Sequence, residues 1–401
     1  MTGCRKGEPS GLYGGPTEQA IFIRRPNRFV VECRLGRKRV DAYLPNPGRL
    51  WELLLPGAIL RLRRNSGSVS LPYTAVAVER EGIPVLLHTH LANDIVEDLI
   101  RRKKIPGLEN REILQREVRH GTSRFDFLLS GSERPLMMEV KTCTLFNRTL
   151  AMFPDAVTER GSRHVTELAR LSAHGFDAAV LFVIQWPFAR YFMPEYHTDL
   201  VFSENLLAAR KKICVKAVAL QWESDYSRPA GVKELNIPWG LVEREARDEG
   251  SYMVIFRVEE KVRLKVGELG DVFFRKGHYV YAGSARRNLT RRVQRHQRKR
   301  KNLFWHIDYL AEKATFVKAA AVRSSENLEC GIASALVQIA EWRIPGFGSS
   351  DCGCGAHLFG MQDNPLSSAR FVDLLMHYRM GRLEKELEDA AKGSVEAPAV
   401  L

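Results

Sequence analysis

Asp126, Glu139 and Lys141 are the residues whose types and spacing most directly suggest a reaction. They lie in two apolar runs, Ser123 to Leu129 and Met137 to Lys141, separated by a polar Ser-Gly-Ser-Glu-Arg-Pro stretch, which predicts an antiparallel hairpin. Side chains alternate along a strand, so Glu139 and Lys141 share one face, Val140 takes the other, and Asp126 on the partner strand can join the carboxylate face. Paired carboxylates make a hard-oxygen site suited to Mg²⁺ or Mn²⁺, and a nearby ammonium can position or deprotonate a water and stabilise charge on a phosphate. That is phosphodiester-cleaving chemistry. The same pattern also describes alternating charges on a solvated strand face, so context must decide.

The chain of 401 residues is too long for one ordinary core, and two or three domains are expected. With 45% apolar and 27% charged residues, it has a globular composition. Its 61 Lys and Arg against 47 Asp and Glu give a net charge of +14, for which a polyanion is the natural partner. Seven scattered cysteines lack disulfide spacing and suit a reducing cytosol. No stretch approaches a membrane span, and residues 1–18 read as a disordered tail with no apolar signal region.

Residues 19–90 read as about five short strands: Phe29–Cys33, Arg39–Leu44, Ala58–Arg63, Thr74–Glu79 and Val85–His88. Such a run suggests a small OB-like barrel. The Asn46-Pro47-Gly48-Arg49 turn precedes an expected Leu50–Leu54 helix. Arg28, Asn46 and Arg49 can grip phosphates, or the turn simply redirects the chain.

The motifs Arg28-Phe29, Leu44-Pro45-Asn46-Pro47-Gly48-Arg49, Arg124-Phe125-Asp126-Phe127, Met138-Glu139-Val140-Lys141, Phe153-Pro154-Asp155-Ala156 and Arg160-Gly161-x-x-His164-x-x-Glu167-Leu168 stand in the order of the sugar fermentation stimulation protein A family, which residues 20 to about 239 resemble. The resemblance implies an OB-like barrel joined to a PD-(D/E)XK nuclease-like domain over residues 91–239, with DNA binding. It makes Asp126 and Glu139 the metal ligands and Lys141 the catalytic ammonium.

Arg160, His164 and Glu167 fall on one face of a helix expected from Thr158 to His174. Arg160 and His164 on that face either touch phosphate beside the cleft or form a solvated or capping face. Glu97, on an Asn93–Arg102 helix, is a further carboxylate for the metal site or a surface residue. Ala178–Gln185 and Val215–Gln221 read as buried strands.

Beyond a boundary near Asn236–Trp239 the character changes. Gly250–Phe256 and Gly277–Ala285 are strands, and nine Lys or Arg crowd the segment Arg286–Lys301. Gly250-Ser251-Tyr252 followed by Tyr281-Ala282-Gly283 is similar to the two opening motifs of the GIY-YIG nuclease superfamily, with Ser251 where that superfamily usually has Ile. The closer resemblance is to an uncharacterised branch with Tyr-Val-Tyr-Ala-Gly-Ser-Ala, Trp305-His306-Ile307-Asp308-Tyr309-Leu310 and Phe347–Cys352. Such chemistry asks for a few residue types: Tyr252 and Tyr281 can orient or deprotonate water, or simply pack in a small sheet; Arg292 can stabilise the pentavalent charge; His296, one turn on, can act as general base; and Glu329, taken over Glu326 on a Glu326–Ile339 helix, can hold Mg²⁺. Arg291 and Arg295 join the phosphate-gripping face. Cys352-Gly353-Cys354 with His357 invites zinc, with His306 or Asp351 as a fourth ligand, although structural zinc normally takes wider spacing.

Together these readings predict a multidomain α+β protein: an OB-like barrel, a PD-(D/E)XK-like α/β domain, a GIY-YIG-like α/β domain over residues 240–365, and an amphipathic helix and tail over 366–401 that docks on a neighbouring domain. The expected function is Mg²⁺- or Mn²⁺-dependent hydrolysis of DNA and/or RNA in the cytoplasm, without a membrane, a homodimer being an open option. The alternative is a DNA-binding transcriptional regulator of sugar metabolism without nuclease activity.

Overall fold

The structure is a computed structural model that describes residues 16–66, 70–121, 123–223, 228–299 and 302–395. The tail expected over residues 1–18 therefore lies outside the described residues up to residue 15, as do Arg300 and Lys301 of the basic segment and the last residues of the C-terminal tail. The chain forms two compact units, one comprising residues up to 194 with 205–238, the other 195–204 with 239 onward.

The first unit opens with six strands: β1 (Thr17–Asn27), β2 (Val30–Leu35), β3 (Lys38–Tyr43), β4 (Ile59–Arg64), β5 (Tyr73–Arg80) and β6 (Ile83–Leu86). They follow the order β3-β2-β1-β4-β5-β6, and a β3–β5 pairing closes the first five into an OB-like barrel. The expected set lacked β1. Its Ala20 and Phe22 alternate inward, but Arg24, Arg25 and Pro26 interrupt the pattern. The expected Leu50–Leu54 helix is a turn, closed by Leu53 N and Leu54 N on Leu50 O. Leu50 has φ of 55°, a left-handed conformation from which a right-handed helix does not propagate.

Helix α1 (Ala92–Arg101) leads into a six-stranded sheet. Its strands are β7 (Ile113–His120), β8 (Ser123–Leu129), β9 (Leu136–Cys143), β12 (Asp177–Ile184), β14 (Cys214–Trp222) and β15 (Pro229–Glu234), in the order β15-β14-β12-β9-β8-β7. The small strands β10 (Leu145–Phe146), β11 (Leu150–Phe153) and β13 (Tyr191–Pro194) form a second sheet, helix α2 (Glu159–Leu171) joins them, and helix α3 (Leu200–Ala209) is divided between the two units after Glu204. β8 and β9 are the expected hairpin. β12 lies parallel between β9 and β14, which is why its sequence is a nearly continuous apolar run. Ile95, Val96 and Leu99 of α1 pack with Phe127, Met138 and Leu181 in one core.

The second unit contains α4 (Trp239–Glu245), β16 (Gly250–Val258), a β17 (Val262–Lys265) and β18 (Asp271–Phe274) hairpin, β19 (Gly277–Ala285), α5 (Leu289–Gln297), α6 (His306–Lys313), β20 (Thr315–Arg323), α7 (Glu329–Val337), β21 (Trp342–Arg343) and β22 (Leu358–Met361). Its main sheet is antiparallel, in the order β20-β16-β19-β22-β21. The C-terminal helix is two helices, α8 (Ala369–Met376) and α9 (Arg382–Val395), joined by a π-helical turn at His377–Gly381. It packs within its own unit: Arg379 Nε donates to Ala321 O at 2.9 Å, and Arg382 pairs with Glu245.

Candidate functional site

The β8–β9 register pairs Phe127 with Met138, and continued by one residue it sets Asp126 against Glu139. There the ladder gives way to a side chain, for Oδ2 of Asp126 accepts the Val140 N–H at 2.7 Å. Oδ1 accepts from Asn93 Nδ2 at 2.8 Å. Glu139 is 3% exposed. Its Oε1 takes Lys141 Nζ at 2.5 Å and lies 2.6 Å from His164 Nδ1, while Oε2 is buried with no hydrogen-bond partner among the described residues.

Environment pushes the two carboxyl groups apart. Burial, then the Glu139 charge, raises Asp126 to about 6 against the pull of Val140 N–H and Asn93. Burial also acts to raise Glu139, but the His164 and Lys141 hydrogen bonds outweigh it and hold that carboxyl below its ordinary range. A carboxylate that stays ionised in a buried site, with one oxygen unsatisfied and a second carboxyl beside it, has the donor chemistry of a hard divalent cation.

His164, expected as a phosphate contact or a solvated face, is buried on α2 behind Glu139, with Arg160 Nε 3.4 Å from its Nε2. Arg160 itself is exposed. Glu97 pairs with Arg101 and Arg116 and is not hydrogen-bonded to the carboxylate pair. Helix α1 contributes Asn93 there, which only proximity after folding could single out. Asn46 is buried: its Oδ1 accepts from Gly48 N at 2.9 Å and its Nδ2 donates to Thr144 Oγ1 at 3.3 Å, so it shapes the turn and does not present an amide to solvent. Arg28 is exposed over Phe29, and Arg49 lies over the Trp51 ring.

In the C-terminal unit, Tyr252, Tyr281, Arg292 and Glu329 line one pocket of about 360 Å³. Tyr252 Oη is 2.9 Å from His296 Nε2, and the Arg292 guanidinium sits 4.2 Å above the Trp305 ring. Burial raises both tyrosines, so each stays a neutral phenol. The Tyr-Ala-Gly spacing has a steric reason: Gly283 pairs with Tyr252, and a Cβ there would lie 2.5 Å from the Tyr252 ring. Ser251, the departure from the motif, is fully buried, and its Oγ accepts Leu328 N at 3.0 Å, anchoring the start of α7. Arg295, expected on the phosphate-gripping face, is committed to both oxygens of Asp308 at 2.8 and 2.9 Å, whereas Arg291 is exposed. Glu329, expected as an Mg²⁺ ligand, has both oxygens engaged, Oε1 3.0 Å from His357 Nδ1 and Oε2 by Ser284 Oγ.

Barrel, sheet and carboxylate pair define a multidomain α+β protein with an N-terminal OB-like domain. The family described as SfsA N-terminal OB domain matches residues 23–87, and that described as Sugar fermentation stimulation protein RE domain matches residues 90–227. The chain belongs to the sugar fermentation stimulation protein family. It is 39% identical over 191 residues to the homolog from Methanothermobacter thermautotrophicus, covering 47% of this chain and 80% of that one. The Clostridium kluyveri homolog is 40% identical over 195 residues, with 48% and 85% covered. A solved structure of Pyrococcus furiosus SfsA, described as in complex with Ca²⁺, superposes with a TM-score of 0.52 at 31% identity, covering 57% of this chain and 98% of that one. Residues 251–379 match a domain of unknown function, DUF123. Among the described residues no helix is long and apolar enough to cross a membrane.

Proposed function

We propose that this chain is a divalent-metal-dependent nuclease acting on DNA or RNA, with a PD-(D/E)XK-like site in its N-terminal unit. The observation that carries the reading is the buried Oε2 of Glu139, without a hydrogen-bond partner among the described residues, beside Asp126. Asp126 and Glu139 would hold the cation, which when bound supplies a Lewis acid that lowers the pKa of water. His164 and Lys141 converge on Oε1, fix the carboxylate rotamer and keep it ionised. Lys141 retains some solvent access, so its ammonium can also meet a phosphate oxygen. Asn93 and the Val140 N–H orient Asp126. That the Pyrococcus furiosus relative is described in complex with Ca²⁺, another oxygen-seeking ion, is in keeping with a hard-cation site in this chain.

The phenol–imidazole contact of Tyr252 and His296 beside Arg292 favours a second, GIY-YIG-like phosphodiester site in the C-terminal unit. In it the imidazole can take a proton from the phenol as that oxygen meets water, and Arg292 can balance phosphate charge. The net charge of +14 and the exposed Arg28, Arg160 and Arg291 suit a polyanionic substrate.

Labelled single- and double-stranded DNA and RNA, incubated with the protein and Mg²⁺, Mn²⁺ or EDTA, test the reading. Cleavage lost with EDTA and in Asp126→Ala supports it. Tight binding of the nucleic acids with no cleavage under any metal would replace it with the DNA-binding regulator of sugar metabolism.

A further inference from the structure

Cys330, Cys352, Cys354 and His357 each offer a ligand atom, and these four atoms all lie within 4.8 Å of one another. The three cysteines are free thiols. Cys330 comes from the first turn of α7, the others from the loop that enters β22. From sequence, His306 and Asp351 are the expected candidates for the fourth ligand. In the fold, His306 Nδ1 accepts Gly348 N at 3.1 Å, and the fourth donor is Cys330, upstream of the Cys352-Gly353-Cys354 motif.

A set of three sulfurs and one imidazole nitrogen is soft and closed. It suits tetrahedral zinc, with metal–sulfur bonds of about 2.3 Å and sulfur–sulfur separations that follow from them, and it offers none of the oxygen donors that Mg²⁺ or Ca²⁺ prefers. His357 supplies a second, independent sign. It is 1% exposed, and its Nδ1 is 3.0 Å from Glu329 Oε1 while its Nε2 is 3.5 Å from Cys352 Sγ. A carboxylate at Nδ1 keeps the proton there and leaves the Nε2 lone pair aimed among the thiols, the outer arrangement typical of zinc-ligating histidines. Ser284, on β19, in turn donates to the other oxygen of Glu329.

We infer that Cys330, Cys352, Cys354 and His357 bind a structural zinc ion that ties α7 to the loop before β22. The loop borders the tyrosine pocket, since a Cβ on Gly348 would lie 2.7 Å from the Tyr281 ring and 3.4 Å from His357 Cβ. The zinc therefore holds one wall of that pocket in place while leaving no open coordination position for catalysis. The site is chemically distinct from the oxygen donors of Asp126 and Glu139 and does not depend on nuclease activity.

Elemental analysis of the purified full-length protein, followed by Co²⁺ substitution, tests this. The expected result is about one zinc per chain, with Co²⁺ giving thiolate charge-transfer and tetrahedral d–d bands that the carboxylate site cannot produce. Cys354→Ser should lose those bands, Cys214→Ser should keep them, and Glu329→Gln should weaken metal affinity about 10–100-fold. Should Cys354→Ser fail to fold, titration of the parent with an organomercurial should release the zinc in step with thiol modification. Zinc-free parent protein that forms no thiolate–Co²⁺ bands would overturn the site, and so would equal loss of the bands in Cys214→Ser.

Discussion

His164 Nδ1 lies 2.6 Å from Oε1 of Glu139, joining helix α2 to strand β9 through one buried oxygen. Lys141 Nζ reaches the same oxygen at 2.5 Å. Because both partners converge on Oε1, Oε2 finds no partner among the described residues in a buried setting, an arrangement that costs free energy unless a cation meets it.

Metal binding should accordingly depend on three residues in graded fashion. Calorimetric titration with Mn²⁺ should show binding lost in Glu139→Gln and much weakened in Asp126→Ala. In His164→Ala it should fall by about 10–100-fold, as for other groups that orient a ligand. An unchanged isotherm in Asp126→Ala would remove the site from the hairpin.

The raised carboxyl of Asp126 makes a stability prediction for the metal-free protein. A folded-state value of about 6 lies above the ordinary Asp value near 3.9, so the native state binds a proton more tightly than the unfolded chain does. The contribution of Asp126 is fully present below about pH 4 and is lost as pH rises through about 6. Asp126→Asn should therefore gain stability relative to the parent at pH 7, on the order of 2–3 kcal/mol, and little at pH 4. Urea melts in EDTA at both values measure the difference, and an equal effect at the two would refute the linkage.

Nucleic-acid affinity should be mainly electrostatic and shared between the arginines of the barrel and the basic segment after β19. Log affinity should fall linearly and steeply with log salt, and Arg291→Ala should reduce the slope by about one unit. Arg295→Ala should act differently, lowering thermal stability, because its guanidinium holds buried Asp308. Salt-independent binding would contradict this account.

The two proposed sites should be chemically independent, each having its own cation on a separate compact unit. Lys141→Ala should reduce one cleavage activity by about two to three orders of magnitude, as deletion of a single electrostatic stabiliser does. Arg292→Ala should do the same to a second, separable by substrate or product ends. Loss of all cleavage in either single variant would leave the other unit as a binding platform.

Gly283→Ala probes the tyrosine pocket sterically. A methyl 2.5 Å from the Tyr252 ring must displace that buried side chain, so a loss of about 1–3 kcal/mol in thermal unfolding is expected. A variant as stable as the parent would show that the ring is not confined by the strand pairing.

By itself the sequence determined the local elements that period and punctuation control. The β8–β9 hairpin, the apolar strand β12, helix α1 and the strands carrying Tyr252 and Tyr281 were legible, because alternation and helical spacing are properties of neighbouring residues. It also placed Asp126, Glu139 and Lys141 on related strand positions, since one register relates them. Tertiary structure decided what required distant residues to meet. Asn93 reaches Asp126, His164 turns inward to Glu139, Glu97 is taken up by arginines, and Cys330 joins a loop across the chain from it. No local pattern encodes those meetings, and whether a polar side chain faces solvent or a buried partner is settled by the desolvation it undergoes when the sheet and its helices close around it.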